Sequence, residues 1–290
     1  YKKEFDYLTK AHNYYFELKK EKFELGVKYC FDDVLQIANF AKVENSNKKT
    51  DYKIKPIFII GVPRSGSTLI EKIIGSAKKF IPMGEEISIF EQFIHNKIQE
   101  KKSLNLGEVK SVREELVDIY KDRGLIKEKS DFIFTDKSLN NFFYLRLIKE
   151  IFPQAKVINC RRKTLSSIIS IFQNNLTDLA WTHNLEHIFK YFDNYFKIIN
   201  EFKKKYPNFV YDLNFENFTN EPEIESKKLM SFCNLLWDKK CLEFYKRKDI
   251  VSKTASCQQI RKSIYKHPAD RYLPYKEFLN KYGSKYSWFN

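Results

Sequence analysis

The chain has 290 residues, 43% hydrophobic and 16% aromatic, enough to bury one α/β core and too apolar for a disordered segment. Its net charge of +15, from 52 Lys and Arg against 37 Asp and Glu, is dispersed and accompanied by no nucleic-acid motif; it suits a small polyanionic ligand better than a nucleic acid. No window approaches the ~20 apolar residues of a membrane span, and five cysteines without a CxxC pair read as reduced thiols of a cytoplasmic protein.

Residues 3–43 read as helices, with Tyr7, Leu8, Tyr14, Tyr15, Leu18 and Phe23 near helical spacing among lysines and glutamates. The stretch 44–53, ENSNKKTDYK, is polar and turn-rich and reads as a linker. It separates an N-terminal helical segment, 1–50, from a main domain, 51–290. With Tyr1 where an initiator methionine would stand, that segment is expected to be the end of a longer helical-repeat region. An apolar β-type run, Ile57 to Ile60, then passes through GVPRSGST into a helical pattern reaching residue 77.

Gly61 and Gly66 have P-loop spacing, Thr68 falls at its hydroxyl position, and Ser67 replaces its lysine. Backbone N–H groups and a helix N-terminus that cradle phosphate are retained. The side chain that grips a β/γ-phosphate pair is lost, and Arg64 provides a cation from another direction. The loop is predicted to hold a phosphorylated nucleotide, but not ATP in the usual manner.

A polar, helical stretch over 85–125 follows, opened by Gly84-Glu85-Glu86. Phe132 to Thr135 reads as a second buried strand before Asp136-Lys137, with a helix over 141–151 ending at Pro153. A third strand, Lys156 to Cys160, delivers Arg161 and Arg162 to its carboxyl end, and the helix over 164–175 places Ser170 eight residues beyond Arg162. An aromatic helix over 185–203, a fourth strand at Phe209 to Leu213, and helices over 224–234 and 239–247 complete the pattern. Strands alternating with helices predict a P-loop-type three-layer α/β/α fold with a central parallel sheet, plus the N-terminal helices. Ligands in such sheets bind beyond the strands' carboxyl ends, where the loop, Asp136-Lys137 and Arg161-Arg162 all fall.

The run Pro63-Arg64-Ser65-Gly66-Ser67-Thr68 resembles the 5′-phosphosulfate loop of sulfotransferases that use 3′-phosphoadenosine 5′-phosphosulfate (PAPS). By that resemblance Arg64, Ser65, Gly66, Ser67 and Thr68 bind the 5′ end, and Arg162 with Ser170 binds the 3′-phosphate. An always-charged arginine fork completed by a hydroxyl suits a phosphate dianion. Thr135-Asp136-Lys137-Ser138-Leu139-Asn140-Asn141-Phe142 is similar to the DK-x-P-x-N-F segment of tyrosylprotein sulfotransferases, which implies Lys137 near the bridging oxygen; Ser138-Leu139 stands where the family proline lies.

Gly84-Glu85-Glu86 resembles their G-E-E stretch and implies a general base, Glu86 by the tyrosylprotein pattern and Glu85 by the bacterial G-E-L pattern. The plain alternative is two glutamates complementing a helix N-terminus. The tail Thr254-Ala255-Ser256-Cys257-Gln258-Gln259-Ile260-Arg261-Lys262-Ser263-Ile264-Tyr265 looks like the T-A-S-x-x-Q-V-R-x-P-I-Y stretch of tetratricopeptide-repeat-linked bacterial sulfotransferases, with Arg271-Tyr272 extending it. It implies Ser256, Arg261 and Lys262 as further phosphate contacts, while Phe215-Glu216 replaces the relatives' Tyr-Glu.

The resemblance implies metal-free in-line sulfuryl transfer from PAPS, leaving adenosine 3′,5′-bisphosphate (PAP), to the hydroxyl of a peptide tyrosine, a sugar or a small alcohol. The acceptor pocket is expected to be shaped by the stretch 85–125 and the N-terminal helices; the oligomeric state stays open. Three other readings remain: a P-loop kinase with Asp136 as its Mg²⁺ carboxylate, a non-catalytic nucleotide-binding module, and a nucleic-acid binder. His183-Asn184-Leu185-Glu186-His187 also matches the zinc pattern H-x-x-E-H, against two partly exposed histidines on a surface helix.

Overall fold

The computed structural model describes residues 1–44, 53–77, 81–127, 133–247, 259–265 and 270–289. The chain opens with α1 (Lys2–Leu18), α2 (Lys20–Lys28), a π-helical turn (Tyr29–Asp33), α3 (Val34–Phe40) and a short β1 (Lys42–Glu44). Then come β2 (Lys55–Gly61), α4 (Ser67–Gly75), β3 (Met83–Glu85), α5 (Ile89–Lys101), β4 (Asn105–Glu108), α6 (Val109–Asp122) and β5 (Ile133–Lys137). A 3₁₀ turn (Leu139–Tyr144) runs into α7 (Leu145–Ile151), followed by β6 (Lys156–Arg161), α8 (Thr164–Gln173) and a second 3₁₀ turn (Ala180–His183). Next come α9 (Leu185–Lys205), β7 (Val210–Asn214), α10 (Phe215–Asn220), α11 (Pro222–Phe232), a 3₁₀ helix (Lys239–Lys246) and α12 (Lys276–Gly283).

The central sheet has the order β3-β5-β2-β6-β7, and every pair is parallel. In β2 the residues from Pro56 to Gly61 are all buried, the near-continuous apolar run a strand covered on both faces needs. Successive side chains alternate across the sheet: Phe58 and Ile60 join one core cluster, Ile57 and Ile59 the other. On the second face Ile70, Ile73 and Ile74 of α4, at i, i+3 and i+4, pack against Ile57 and Ile59. On the first face α9 lays down a stripe of Leu185, Ile188, Phe189, Phe192, Tyr195 and Ile199, each such side chain worth about 1.5–3 kcal/mol of burial. The fold is the α/β/α arrangement that the alternating pattern implies.

Several local expectations are corrected. The second strand begins at Ile133 and carries Asp136 and Lys137 inside it, so both are fixed by backbone pairing rather than by a loop; Phe132 lies outside the described residues. Met83–Glu85 adds a fifth, edge strand, so Glu85 ends a strand and does not open a helix. The polar stretch 85–125 is interrupted by β4, which pairs with β1 in a separate two-stranded parallel ribbon. The segments 139–144 and 239–246 are 3₁₀ helices. Most of the expected linker, residues 45–52, lies outside the described residues. Phe5, Cys30, Phe31, Val34 and Ile37 of the N-terminal helices bury into the first core cluster.

Candidate active site

The loop between β2 and α4 is shaped by two tight approaches. Gly66 adopts φ +93°, and a Cβ there would lie 2.3 Å from Phe215 Cδ2, so the helix start is pressed against that ring. A Cβ on Gly61 would lie 2.7 Å from the Cys160 carbonyl oxygen. Arg64 is itself left-handed at φ +68°, the kind of backbone strain that clusters at ligand sites. No side chain caps α4, which leaves its first-turn amides facing the cleft. Ser65 Oγ is buried without a hydrogen-bond partner, an orphaned donor that an anionic group in the loop would satisfy. Ser67 and Thr68 are buried beside it.

On one side of the loop, Arg64 Nε donates to Ser170 Oγ of α8 at 3.1 Å, and Arg162 Nη1 donates to the Arg64 carbonyl at 3.2 Å. The Arg162 guanidinium lies 5.2 Å over the Phe215 ring. Glu216 Oε1, next along the chain, accepts from the Lys163 backbone N–H at 3.0 Å. Burial comes first in lowering the pKa of both Arg64 and Arg162; the charge of Arg271 lowers both further, and Arg64 adds to the effect on Arg162. Crowded cations drawn partly out of water favour an anion between them.

Gly66, Thr68, Leu69, Arg162, Phe215, Phe244, Ile260, Lys262 and Tyr265 line this cleft with Arg64. Its apolar wall of Leu69, Phe244 and Ile260 suits a flat base. Leu69 and Phe244 escaped sequence reasoning, because nothing local marks an apolar residue as lining a cleft. Among the residues foreseen in the tail, Lys262 lines the cleft, Arg261 is exposed outside it, and Ser256 lies outside the described residues.

On the other side of the same loop, an open cleft of about 630 Å³ is bounded by Pro63, Arg64, Glu86, Asn140, Trp181 and Tyr191, among others. Lys137 Nζ, fully buried, lies 2.6 Å from Glu86 Oε1 and 3.9 Å from Glu85 Oε1. Glu86 is 45% exposed at this cleft, whereas Glu85 is 12% exposed and paired with Lys72 at 3.4 Å. Glu86 holds a left-handed φ of +52° in the turn after β3, pinned by its N–H donating to the Lys137 carbonyl at 2.8 Å. The two clefts share Arg64, Gly66 and Thr68.

Asp136 is fully buried and lines neither cleft. It accepts from Tyr120 Oη at 2.6 Å, Ser138 Oγ at 2.8 Å and Asn141 Nδ2 at 3.0 Å, and burial pushes its carboxyl up to about 6. These three partners engage both carboxylate oxygens, which corrects the reading of Asp136 as an open magnesium ligand. Ser138 also accepts from the Ser88 N–H at 2.9 Å, tying the segment that lacks the proline to the turn holding Glu86.

The alternative of two partly exposed histidines on a surface helix is corrected for His183, which is buried. His183 precedes α9, and Asn184 caps that helix by accepting from His187 N, so the two rings do not share a helical face. His183 is buried with Nδ1 2.9 Å from His12 Nδ1 and stacks on Phe23, while His187 packs against Phe31. The N-terminal helices thus do not line the second cleft; through His12, Tyr15 and Phe23 they back the 3₁₀ turn that carries Trp181. No described helix is long and apolar enough to cross a membrane.

A family model described as the sulfotransferase family matches residues 56–239. An uncharacterized protein of Aquifex aeolicus (strain VF5) is 29% identical over 295 residues, covering 96% of this chain. The chain spans only 38% of that relative's length. The sulfotransferase domain of the olefin synthase of Synechococcus PCC 7002 has the same fold, with a TM-score of 0.54 at 18% identity over 78% of this chain and 90% of that one.

Proposed function

The chain belongs to the sulfotransferase family, matched across residues 56–239, and from that premise we propose that it transfers a sulfuryl group from PAPS to an acceptor hydroxyl. The observation that carries this reading is the single loop with Arg162 and Ser170 gathered at Arg64 on one side, and on the other Glu86 at the open cleft, backed by the fully buried Lys137. PAPS, when bound, supplies an activated sulfuryl group on a leaving group that departs as PAP.

Arg162 and Ser170 bind the 3′-phosphate, and Lys262 borders the same cleft. The amides of the loop, Ser65 Oγ and Arg64 hold the 5′ end. Leu69, Phe244 and Ile260 exclude water around the base. Glu86, half-exposed at the acceptor cleft, takes the proton of the attacking hydroxyl, and Glu85 serves to hold Lys72 and Lys137. Lys137 and Arg64 face the negative charge that grows during transfer, in a site where fixed cations supply most of the stabilisation. Catalysis resides in 51–290, and the helices of the N-terminal segment, α1 to α3, buttress the acceptor cleft from behind. The acceptor is a peptide tyrosine, a sugar or a small alcohol.

Thermal shift separates this from a kinase reading. PAP at about 100 times its dissociation constant stabilises by about 2.7 kcal/mol, and AMP or ATP at the same concentration raises the melting temperature less, with or without magnesium. Preferential stabilisation by magnesium-ATP would overturn the assignment.

A further inference from the structure

Beneath the loop lies a buried layer of charge. Glu71 and Lys72, on α4, face β5 and β3 from inside the core. Glu71 is 0% exposed; its Oε1 accepts from Thr135 Oγ1 at 2.6 Å, and its Oε2 has no hydrogen-bond partner. Thr135 Oγ1 also receives the Gly84 N–H at 3.2 Å, which ties Glu71 to the strand leading into Glu85 and Glu86. Two buried ammonium groups, Lys72 and Lys137, therefore stand against three carboxylates, Glu71, Glu85 and Glu86. Three further titratable groups face them: Cys160 of β6, whose thiol burial pushes up to about 12, and Asp136 and Tyr191, both within the field of Glu86.

Glu86 is the carboxylate that the proposed reaction neutralises. When it takes the acceptor's proton, Lys137 loses the charge of the anion 2.6 Å away while remaining inside the protein. Glu85 lies 3.9 Å from Lys137 and is shared with Lys72. That leaves a fully buried cation with one long, shared ion pair, an arrangement that costs stability. The carboxylate of this layer with an unfilled oxygen is Glu71, bonded to Thr135, which shares a face of β5 with Lys137 two residues on.

We propose that Glu71 is a positioning residue for sulfuryl transfer, acting through Lys137: its carboxylate is the interior anion that keeps the ammonium in place while Glu86 is neutral. This rests on the functional reading above. Burial raises the Glu71 carboxyl to about 7, opposed by Lys137, Thr135 and Lys72 in that order and assisted by Glu85. Its charge therefore appears as pH rises through neutrality, and turnover gains a limb there.

The test compares the wild type with Glu71→Gln, which keeps the volume and the acceptor for Thr135, and with Thr135→Val, which removes the hydroxyl that favours the ionised carboxylate. Glu71→Gln lowers kcat by about tenfold or more, changes the donor KM by less than about threefold, and erases the limb near pH 7. Thr135→Val moves that limb to higher pH, which a merely structural role would not do. Without turnover, calorimetry of PAP binding in buffers of different ionisation enthalpy reports proton uptake. The wild type takes up a fraction of a proton at pH 7 as the ligand's charge raises Glu71 further, and Glu71→Gln does not. A wild type that binds PAP and transfers sulfuryl groups, beside a folded Glu71→Gln with the same limb and proton uptake, overturns the role of Glu71 alone. A wild type that does neither overturns the functional reading and this inference together.

Discussion

Replacing Arg162 by alanine separates the two poles of the proposed nucleotide cleft. In the structure its guanidinium makes one bond to the Arg64 carbonyl at 3.2 Å and covers the Phe215 ring at 5.2 Å, leaving other N–H groups to face the cleft. A hydrogen bond to a charged phosphate contributes about 1.5–3 kcal/mol, and the ring contact about 0.5–2 kcal/mol when partly desolvated. The ring and loop contacts serve any nucleotide, but the phosphate bond serves only one carrying a 3′-phosphate. Titration calorimetry with PAP and with AMP isolates that difference. PAP affinity is expected to fall about 10–150-fold more than AMP affinity, as 1.5–3 kcal/mol implies. Equal losses for the two ligands would refute the assignment of Arg162 to the 3′-phosphate and leave it a brace for the loop.

Glu86→Gln is expected to cut turnover by about 10²–10⁴-fold while leaving PAP affinity within about threefold; a larger loss in Glu85→Gln than in Glu86→Gln would transfer the base to Glu85. Asp136 gives a pH dependence of stability. Its carboxyl, 3.8 in the unfolded chain, rises to about 6 on folding, so the native state binds the extra proton. That contribution is full below about pH 4 and is lost as pH rises through about 6, up to about 3 kcal/mol in all. Melting temperatures of the wild type and Asp136→Asn across that window should therefore diverge on the wild-type side only; parallel curves would remove the argument.

The features legible in the sequence are those whose chemistry is local. Gly61, Arg64, Gly66 and Thr68 sit within one turn, so their spacing announces a phosphate loop, whereas Arg162 and Ser170, eight residues apart across a strand-to-helix junction, are singled out by the family resemblance. The parallel sheet follows from alternation of apolar runs and amphipathic stretches, for the same reason. What was hidden depends on packing between distant segments. The strand Met83–Glu85 is three residues long and exists because β5 offers it an edge. Glu71 and Lys72 look like ordinary helical charges in LIEKII, and only the docking of α4 onto β5 and β3 buries them. Asp136 was ambiguous for the opposite reason, since its three partners decide whether its carboxylate is open to a ligand. The burial of His183 was hidden because its partner, His12, is 171 residues away.

Arg64, Gly66 and Thr68 border both clefts, so one turn of backbone is a party wall. Any occupant that stiffens or tilts this wall from one room is felt in the other. Thermodynamics then demands symmetry: by whatever factor the nucleotide improves the hold on the acceptor, the acceptor improves the hold on the nucleotide. Ternary binding measured in either order should close the same cycle.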